Sequence, residues 1–298
     1  MDVRRLRLLR ELADRGTVTA VAKAMSYTPS AVSQQIRALQ AEVGVTLTEP
    51  SGRGLRLTDA GRMLAARADE VLAALDRAQA ELDAYRSTPR GTVRVALFPS
   101  GSLLLLPGLL RRMAAVEHVA LECRDVDMVP SEVPALAADF DVVVAHRDDR
   151  AQPFDEERLE ITPLLREPLD VALPLGHRLA GEQRVELTEL VDEPWVSVGV
   201  GFPVDDVLRS LAIRTGTRPK VVQRINDFRV IEALVADGFG VALLPRYTAD
   251  NPRLVLRPLA DVRAGRNVEA VSRRGAAERP AVRLVLDVLL EEAARVAG

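Results

Sequence analysis

Between Thr58 and about Arg86 the chain has no proline and a single early glycine, Gly61, while Leu64, Ala68, Val71, Leu75, Ala78, Leu82 and Tyr85 recur at alternating steps of four and three. This is a heptad stripe sustained over three repeats, the pattern of a coiled-coil seam. At about 1.5 Å per residue the segment makes a rod of about 42 Å. An apolar stripe on so long a helix needs cover, either from the body of its own chain or from a second copy. Pairing two copies along it gives a two-fold dimer. The chain is thus a small unit, residues 1–58, at one end of a linker helix, residues 59–86, with a larger unit beyond a break at residues 87–90.

The small unit reads as three short helices and a hairpin. Leu6, Leu9, Leu12 and Ala13 mark one face of a first helix that Gly16 ends. The alanine-rich stretch Val18–Met25 suits a second helix packed closely on its neighbours. Thr28-Pro29 is a helix start, with threonine as cap and proline in the first turn. The third helix runs to Gly44 with Val32, Ile36, Leu39 and Val43 on its buried stripe. Its other face carries Ser30, Ser33, Gln34 and Arg37, which fits a recognition helix in a major groove and fits equally the solvated side of an ordinary helix. The strand candidates Val45-Thr46-Leu47 and Leu55-Arg56-Leu57 flank the turn-rich Pro50–Gly54, a wing with Arg53 at its tip. Thr28 and Arg56 complete the candidate DNA contacts. Residues 1–58 hold nine Lys/Arg against five Asp/Glu in a chain whose net charge is −3, so the excess of acid lies beyond them. A basic head on an acidic body is what a DNA-binding module joined to a different module requires.

After Ser87-Thr88-Pro89-Arg90-Gly91 strand and helix signals alternate. Val93, Val95 and Leu97 begin a first strand, Leu103–Met113 a helix, and further strands are expected at Leu121–Val126 and Asp141–Ala145. A crossover near Ile161 leads to strands at Leu169–Leu173, Trp195–Val198, Val221–Arg224 and Val241–Leu244. The chain then returns to its first lobe through Leu254–Leu256 and Val268–Val271. Alternation of this kind implies α/β lobes: lobe I at 91–161 and 253–298, lobe II at 162–252. His118, His146 and His177 stand at no metal-ligand spacing, and no nucleophile elbow, Walker loop or dinucleotide fingerprint occurs. No catalytic residues, metal or cofactor are therefore expected. Cys123 is the single cysteine and cannot pair within the chain. No apolar run is long enough to span a bilayer, and the opening residues carry no signal core, so a cytoplasmic protein without a membrane partner is expected.

The run Ala20-Val21-Ala22-Lys23-Ala24-Met25-Ser26-Tyr27-Thr28-Pro29-Ser30-Ala31-Val32-Ser33-Gln34-Gln35-Ile36-Arg37-Ala38-Leu39-Gln40-Ala41-Glu42-Val43-Gly44, followed by Gly52-Arg53-Gly54-Leu55-Arg56-Leu57-Thr58-Asp59-Ala60-Gly61, resembles the signature of the LysR-type transcriptional regulators. Two departures stand out. Many members carry Gln-Pro where this chain has Pro29-Ser30, and most carry Leu-Phe-x-Arg where it has Leu47-Thr48-Glu49-Pro50. The resemblance implies an α/β protein overall: a winged helix-turn-helix, a dimerising linker and a bilobal effector domain like the type 2 periplasmic binding proteins. It implies double-stranded DNA, a small-molecule effector and RNA polymerase as partners, and a homodimer or homotetramer.

Ligands of such bilobal folds sit between the lobes, at strand ends and helix N-termini. The residues so placed are Ser100, Gly101, Ser102, Met128, His146, Gly199, Phe202, Asn226 and Asp227, each also explicable as a cap, turn or core residue. Arg147 and Arg229 lie near these loops and suit an anion, while Asp127 and Asp227 pull the other way. Two other readings share the sequence: a ligand-independent DNA-binding repressor with a filled cleft, and a cytoplasmic solute-binding protein, which leaves wing and heptad unexplained.

Overall fold

Asp2 opens the chain's first helix, its carboxylate accepting the Arg4 N–H at 2.8 Å. The computed structural model describes residues 1–51, 54–85, 89–149, 151–154, 158–260 and 262–298. Helices α1 (Val3–Arg15), α2 (Val18–Ala24) and α3 (Pro29–Val43) follow in quick succession. Thr17 caps α2 and Thr28 caps α3 through their hydroxyls, and Gly16 and Gly44 end α1 and α3 in the left-handed conformation that glycine adopts without strain. Leu9, Leu12, Val21, Val32, Ile36 and Leu39 form the centre of this unit's core.

Strands β1 (Thr48–Ser51) and β2 (Gly54–Leu57) pair antiparallel as the wing, and helix α4 (Asp59–Tyr85) leaves it directly. Thr58 makes that junction. Its hydroxyl donates to the Thr46 carbonyl at 2.8 Å and accepts the Gly61 N–H at 3.0 Å, so it caps α4 while holding the strand. Gly61 lets the two come together: a Cβ there would lie 2.1 Å from the Leu47 carbonyl oxygen.

The larger unit has two cores. In the first lobe β3 (Gly91–Leu97) runs parallel to β4 (Val119–Asp125) and β5 (Val142–Asp148), and β11 (Gly265–Arg273) joins antiparallel. Helices α5 (Pro99–Met113), α6 (Val133–Asp139) and α9 (Pro280–Ala297) accompany them. In the second, β7 (Pro194–Ser197) and β8 (Lys220–Arg224) pair parallel, with α7 (Pro203–Thr215) and α8 (Phe228–Ala236) alongside.

One strand serves both lobes. β6 (Leu159–Pro174) is a continuous 16-residue strand whose first part pairs with β11 and whose last part pairs with β9 (Ala242–Pro245) and β10 (Leu254–Arg257). Two expectations are corrected here. The lobes do not divide at residue 161: Ile161, Leu164 and Leu165 pack on the first core, and Leu169 begins the second. The return to the first lobe does not run through Leu254–Leu256 either, because β10 extends the second lobe's sheet and Leu259, Val262 and Ala264 still belong to its core.

The linker stripe is divided in use. Ala68 and Leu64 pack into the head's own core, and Ala65, Leu72 and Ala73 are buried on a neighbouring face. Val71, Leu75 and Leu82 stand 43%, 46% and 63% exposed, and Ala78 is exposed with them. The Tyr85 side chain lies outside the described residues.

Charges join head and linker to the first lobe. Arg158 reaches Asp14 at 2.6 Å and Asp69 at 2.9 Å, Arg15 reaches Asp139 at 2.7 Å, and Arg273 reaches Glu11 at 3.2 Å. Burial pushes the Glu11 carboxyl up, but Arg273, Arg10 and Arg15 together hold it at about 2. Replacing Gly61 by alanine is expected to lower head stability by about 1–3 kcal/mol through overpacking against the Leu47 carbonyl. Urea denaturation of the full chain, followed by a probe in the head, measures this; an unchanged midpoint would mean that the wing yields freely.

Candidate functional site

The structure offers two surfaces of interest, one in the head and one in the larger unit. On α3, Val32, Ile36 and Leu39 face inward, which leaves Gln34 and Arg37 exposed on the outer face and Ser33 half-buried beside them. Arg37 has no ion pair among the described residues, so its guanidinium is available. Thr28 is engaged as cap, its Oγ1 accepting the Ala31 N–H at 3.2 Å and standing 3.0 Å from the Ser30 hydroxyl. Arg56 on the wing pairs with Glu49 across the hairpin at 2.7 Å. Arg53 lies outside the described residues.

Residues around Thr48 explain how the wing is held. Gln40 on α3 accepts three hydrogen bonds at its Oε1: from the Leu47 N–H (3.0 Å), the Thr48 N–H (2.8 Å) and the Thr48 hydroxyl (2.9 Å). A polar threonine therefore fixes the wing to the recognition-type helix through a half-buried amide, and the hydroxyl's share of that tie is one an aromatic there could not make.

Between the lobes lies a cavity of about 710 Å³. The first lobe contributes Phe98 and the start of α5; the second contributes Phe202 and the Asn226–Phe228 turn. Asn226 latches the two sides: its Oδ1 accepts the Gly199 N–H at 2.8 Å, and its Nδ2 donates to Asp127 of the first lobe at 2.7 Å. At β11 the wholly buried Arg266 donates through Nε (2.9 Å) and Nη2 (2.6 Å) to Glu167 on β6, and Nη2 also donates to Ser100 Oγ at 2.9 Å. Its guanidinium carbon lies 4.9 Å from the Phe98 ring centre and 5.7 Å from that of Phe228. His146 stacks tilted on Phe98 at 4.2 Å. Burial, and then the Arg266 charge, hold the His146 imidazole well below its ordinary range, so it is neutral at pH 7. The buried Arg266 Nη1 and His146 Nδ1 have no hydrogen-bond partner among the described residues.

Residues 3–62 match the bacterial regulatory helix-turn-helix protein, lysR family, and residues 86–294 match the LysR substrate binding domain. The transcriptional dual regulator GltC of Bacillus subtilis (strain 168) is 31% identical over 255 residues, covering 83% of this chain and 82% of its own. This chain belongs to the LysR family of transcriptional regulators. Among solved structures, full-length OxyR from Pseudomonas aeruginosa superimposes with a TM-score of 0.67 at 20% identity, over 97% of this chain and 98% of its own. CbnR complexed with its target DNA gives 0.54 at 22% identity, over 98% and 100%. These two share the fold.

Of the residues of this LysR-family regulator expected to meet an effector, Ser100, Ser102, His146, Phe202, Asn226 and Asp227 come together on the cavity wall. Three do not. Met128 is buried in the first lobe's core, Gly101 packs on the Phe98 ring, and Gly199 supplies a backbone donor to Asn226. Arg147 is also elsewhere, paired to Glu269 at 2.8 Å. Sequence reasoning missed Arg266, Phe98 and Phe228. Arg266 carries no local signal, since its partners Glu167 and Ser100 are 99 and 166 residues away. Among the described residues no helix is long and apolar enough to cross a membrane.

His146 generates a pH prediction. Its unfolded form takes a proton near pH 6.5 and its folded form does not, so stability falls as pH drops below about 6.5, by at most about 1.4 kcal/mol per unit. His146→Leu is expected to flatten the fall between pH 6.5 and 5 in chemical denaturation. An unaltered slope would assign it to other groups.

Proposed function

We propose that this regulator binds an interrupted inverted repeat in double-stranded DNA as a homodimer or homotetramer, and that a small molecule held between its lobes alters the transcription it controls. The observation that carries the reading is the arrangement on one rod: a free polar face on α3 at one end, an uncovered stripe along α4, and a cavity in the attached sensor. A recognition helix needs exposed donors and acceptors near its N-terminal turns, which Ser33, Gln34 and Arg37 supply. Val71, Leu75, Ala78 and Leu82 suit a second copy, and that pairing sets two recognition helices at a fixed spacing. Its work is binding, with RNA polymerase as the downstream partner.

An effector moves such an equilibrium only by its difference in affinity between two assembly states. The Asn226–Asp127 bond spans the lobes and so changes whenever the cleft opens or closes. Arg158, Arg273 and Arg15 connect the first lobe to α1 and α4, which gives lobe motion a physical route to the DNA-binding end.

Two measurements test this. Gel-shift titration on genomic fragments, including the regulator's own upstream region, is expected to show site-selective binding that Arg37→Ala weakens by about 1–3 kcal/mol; equal binding by the variant would remove α3 from the groove. Leu75→Glu, which puts a charge in the uncovered stripe, is expected to shift the protein toward monomer in sedimentation and to shrink the footprint to a half-site. An intact dimer in that variant would place the interface elsewhere.

A further inference from the structure

The base of the cleft holds more hydrogen-bond donors than the protein uses. Glu167 takes Nε and Nη2 of Arg266, and its other oxygen accepts the Tyr247 N–H at 3.1 Å. Arg266 Nη1 is left buried with two N–H groups and no acceptor among the described residues. A charged donor stranded in this way costs more than an ordinary unmade hydrogen bond. Ser100 points to the same deficit. Its Oγ already accepts from Arg266 Nη2, so its own O–H must donate, and no acceptor for it is present among the described residues. Both residues line the cavity. They sit at the start of α5, a 15-residue helix with no side-chain cap, whose first-turn N–H groups add positive potential.

These donors define one end of a guest; the rest of the cavity defines the remainder. The apolar part of the wall is made by Leu103, Leu106 and Leu110 of the first lobe and Val198, Phe202 and Val204 of the second. The remaining charges are Asp125, Asp127, Asp227 and Glu232 against Arg229, which itself lies 3.7 Å from Asp227. These four acids outnumber the single arginine beside them. A second anionic group on the guest would face this ring of like charge.

We propose that the cleft takes a monocarboxylate with a compact apolar body, its carboxylate seated between Arg266 Nη1 and the Ser100 hydroxyl and its body on the leucine and phenylalanine wall. The assignment rests on reading the cleft as the effector site. A carboxylate is an acceptor-only group with two oxygens, which matches two donors that share Arg266 Nη2 as neighbour. Binding would satisfy Nη1 without disturbing Glu167, and it would add anionic charge beside neutral His146.

Calorimetry on the full-length protein tests the class with probes on two bodies: 3-phenylpropionate and 4-methylpentanoate, the primary amide of each, phenylsuccinate, and 3-phenylpropyl phosphate. At least one monocarboxylate is expected to bind at least tenfold more tightly than its amide, the diacid and the phosphate. Ser100→Ala and Arg266→Lys, the second chosen because lysine keeps a cation beside Glu167, are each expected to weaken the acid at least fivefold while leaving its amide nearly unchanged. An amide equal to its acid overturns the anionic head. A tighter diacid or phosphate overturns the single charge, and indifference to both variants overturns the placement. Silence of both acids overturns the class. The sensor reading has its own readout: Ser102→Trp, which fills the cavity, is expected to change the DNA footprint. A changed footprint without carboxylate binding sinks the class alone, and an unchanged one sinks the sensor.

Discussion

The Arg266–Glu167 pair sits where the two lobes of the sensor become one structure. Arg266 of β11 is in register with Glu167 of β6, immediately before the point at which β6 leaves the first core for the second. A buried ion pair is not by itself a source of stability, because removing two charges from water offsets much of their attraction. Its effect is to penalise alternatives: any arrangement that separates the partners strands a charge in an apolar interior. The crossover is thereby held in one register, and the cavity floor is fixed where a guest must meet it. Phe98 and Phe228 enclose the guanidinium from the two lobes, so the same residue that organises the strands also touches aromatic rings of both.

The head is secured by different means. It has its own small core, and its wing is held by one amide oxygen, that of Gln40, with Thr58 bridging wing and linker. Its attachment to the sensor is ionic. Glu11, Asp14 and Asp69 face Arg158 and Arg273 in a network that is only partly exposed, and Ala73 of α4 packs on Gly275 of the sensor beside it. Such a joint is specific in geometry yet weakened by salt and by competing charges. That contrasts with the dry, interdigitated cores on either side. It suits a hinge that must hold two rigid bodies in one relation without welding them.

Much of this was readable from local pattern. The heptad located α4, Thr28-Pro29 and Thr58 located helix starts, and Gly16 and Gly44 located ends, because caps and periodicity act over a few residues. Six cleft residues were found from their position at strand ends and helix starts. What escaped depended on distance. Met128 follows a strand as a binding residue would, yet its side chain turns into the core. Arg266 sits in an unremarkable Gly-Arg-Asn stretch and becomes special only through Glu167 and Ser100, far away in the chain. Only the second part of the 16-residue β6 was expected as a strand, at Leu169–Leu173, because its two halves face different cores, and a change of environment reads as a boundary in sequence though the backbone continues. The stripe on α4 shows the converse limit. Periodicity marks an apolar face without saying who covers it, and the head claims Leu64 and Ala68 before any partner can.

That division of the stripe constrains how the regulator can respond. If the N-terminal part of the rod is locked to the head and the C-terminal part is free for a second copy, head and linker turn together, and rotation must be taken up at the ionic joint or in the partner interface. The joint can absorb it by exchanging ion-pair partners, since Arg158 and Arg273 each already face two acids. Moving a two-state assembly from 1:99 to 99:1 requires about 5.5 kcal/mol of differential binding. One recovered charged hydrogen bond at Arg266, at about 1.5–3 kcal/mol, supplies only part of that. Two cavities in a dimer, acting on one shared interface, bring the sum to the required order. In the proposed dimer the cavity's unused donors would gain leverage through the linker pairing, and a sensor domain severed from that helix would bind the proposed guest without transmitting anything.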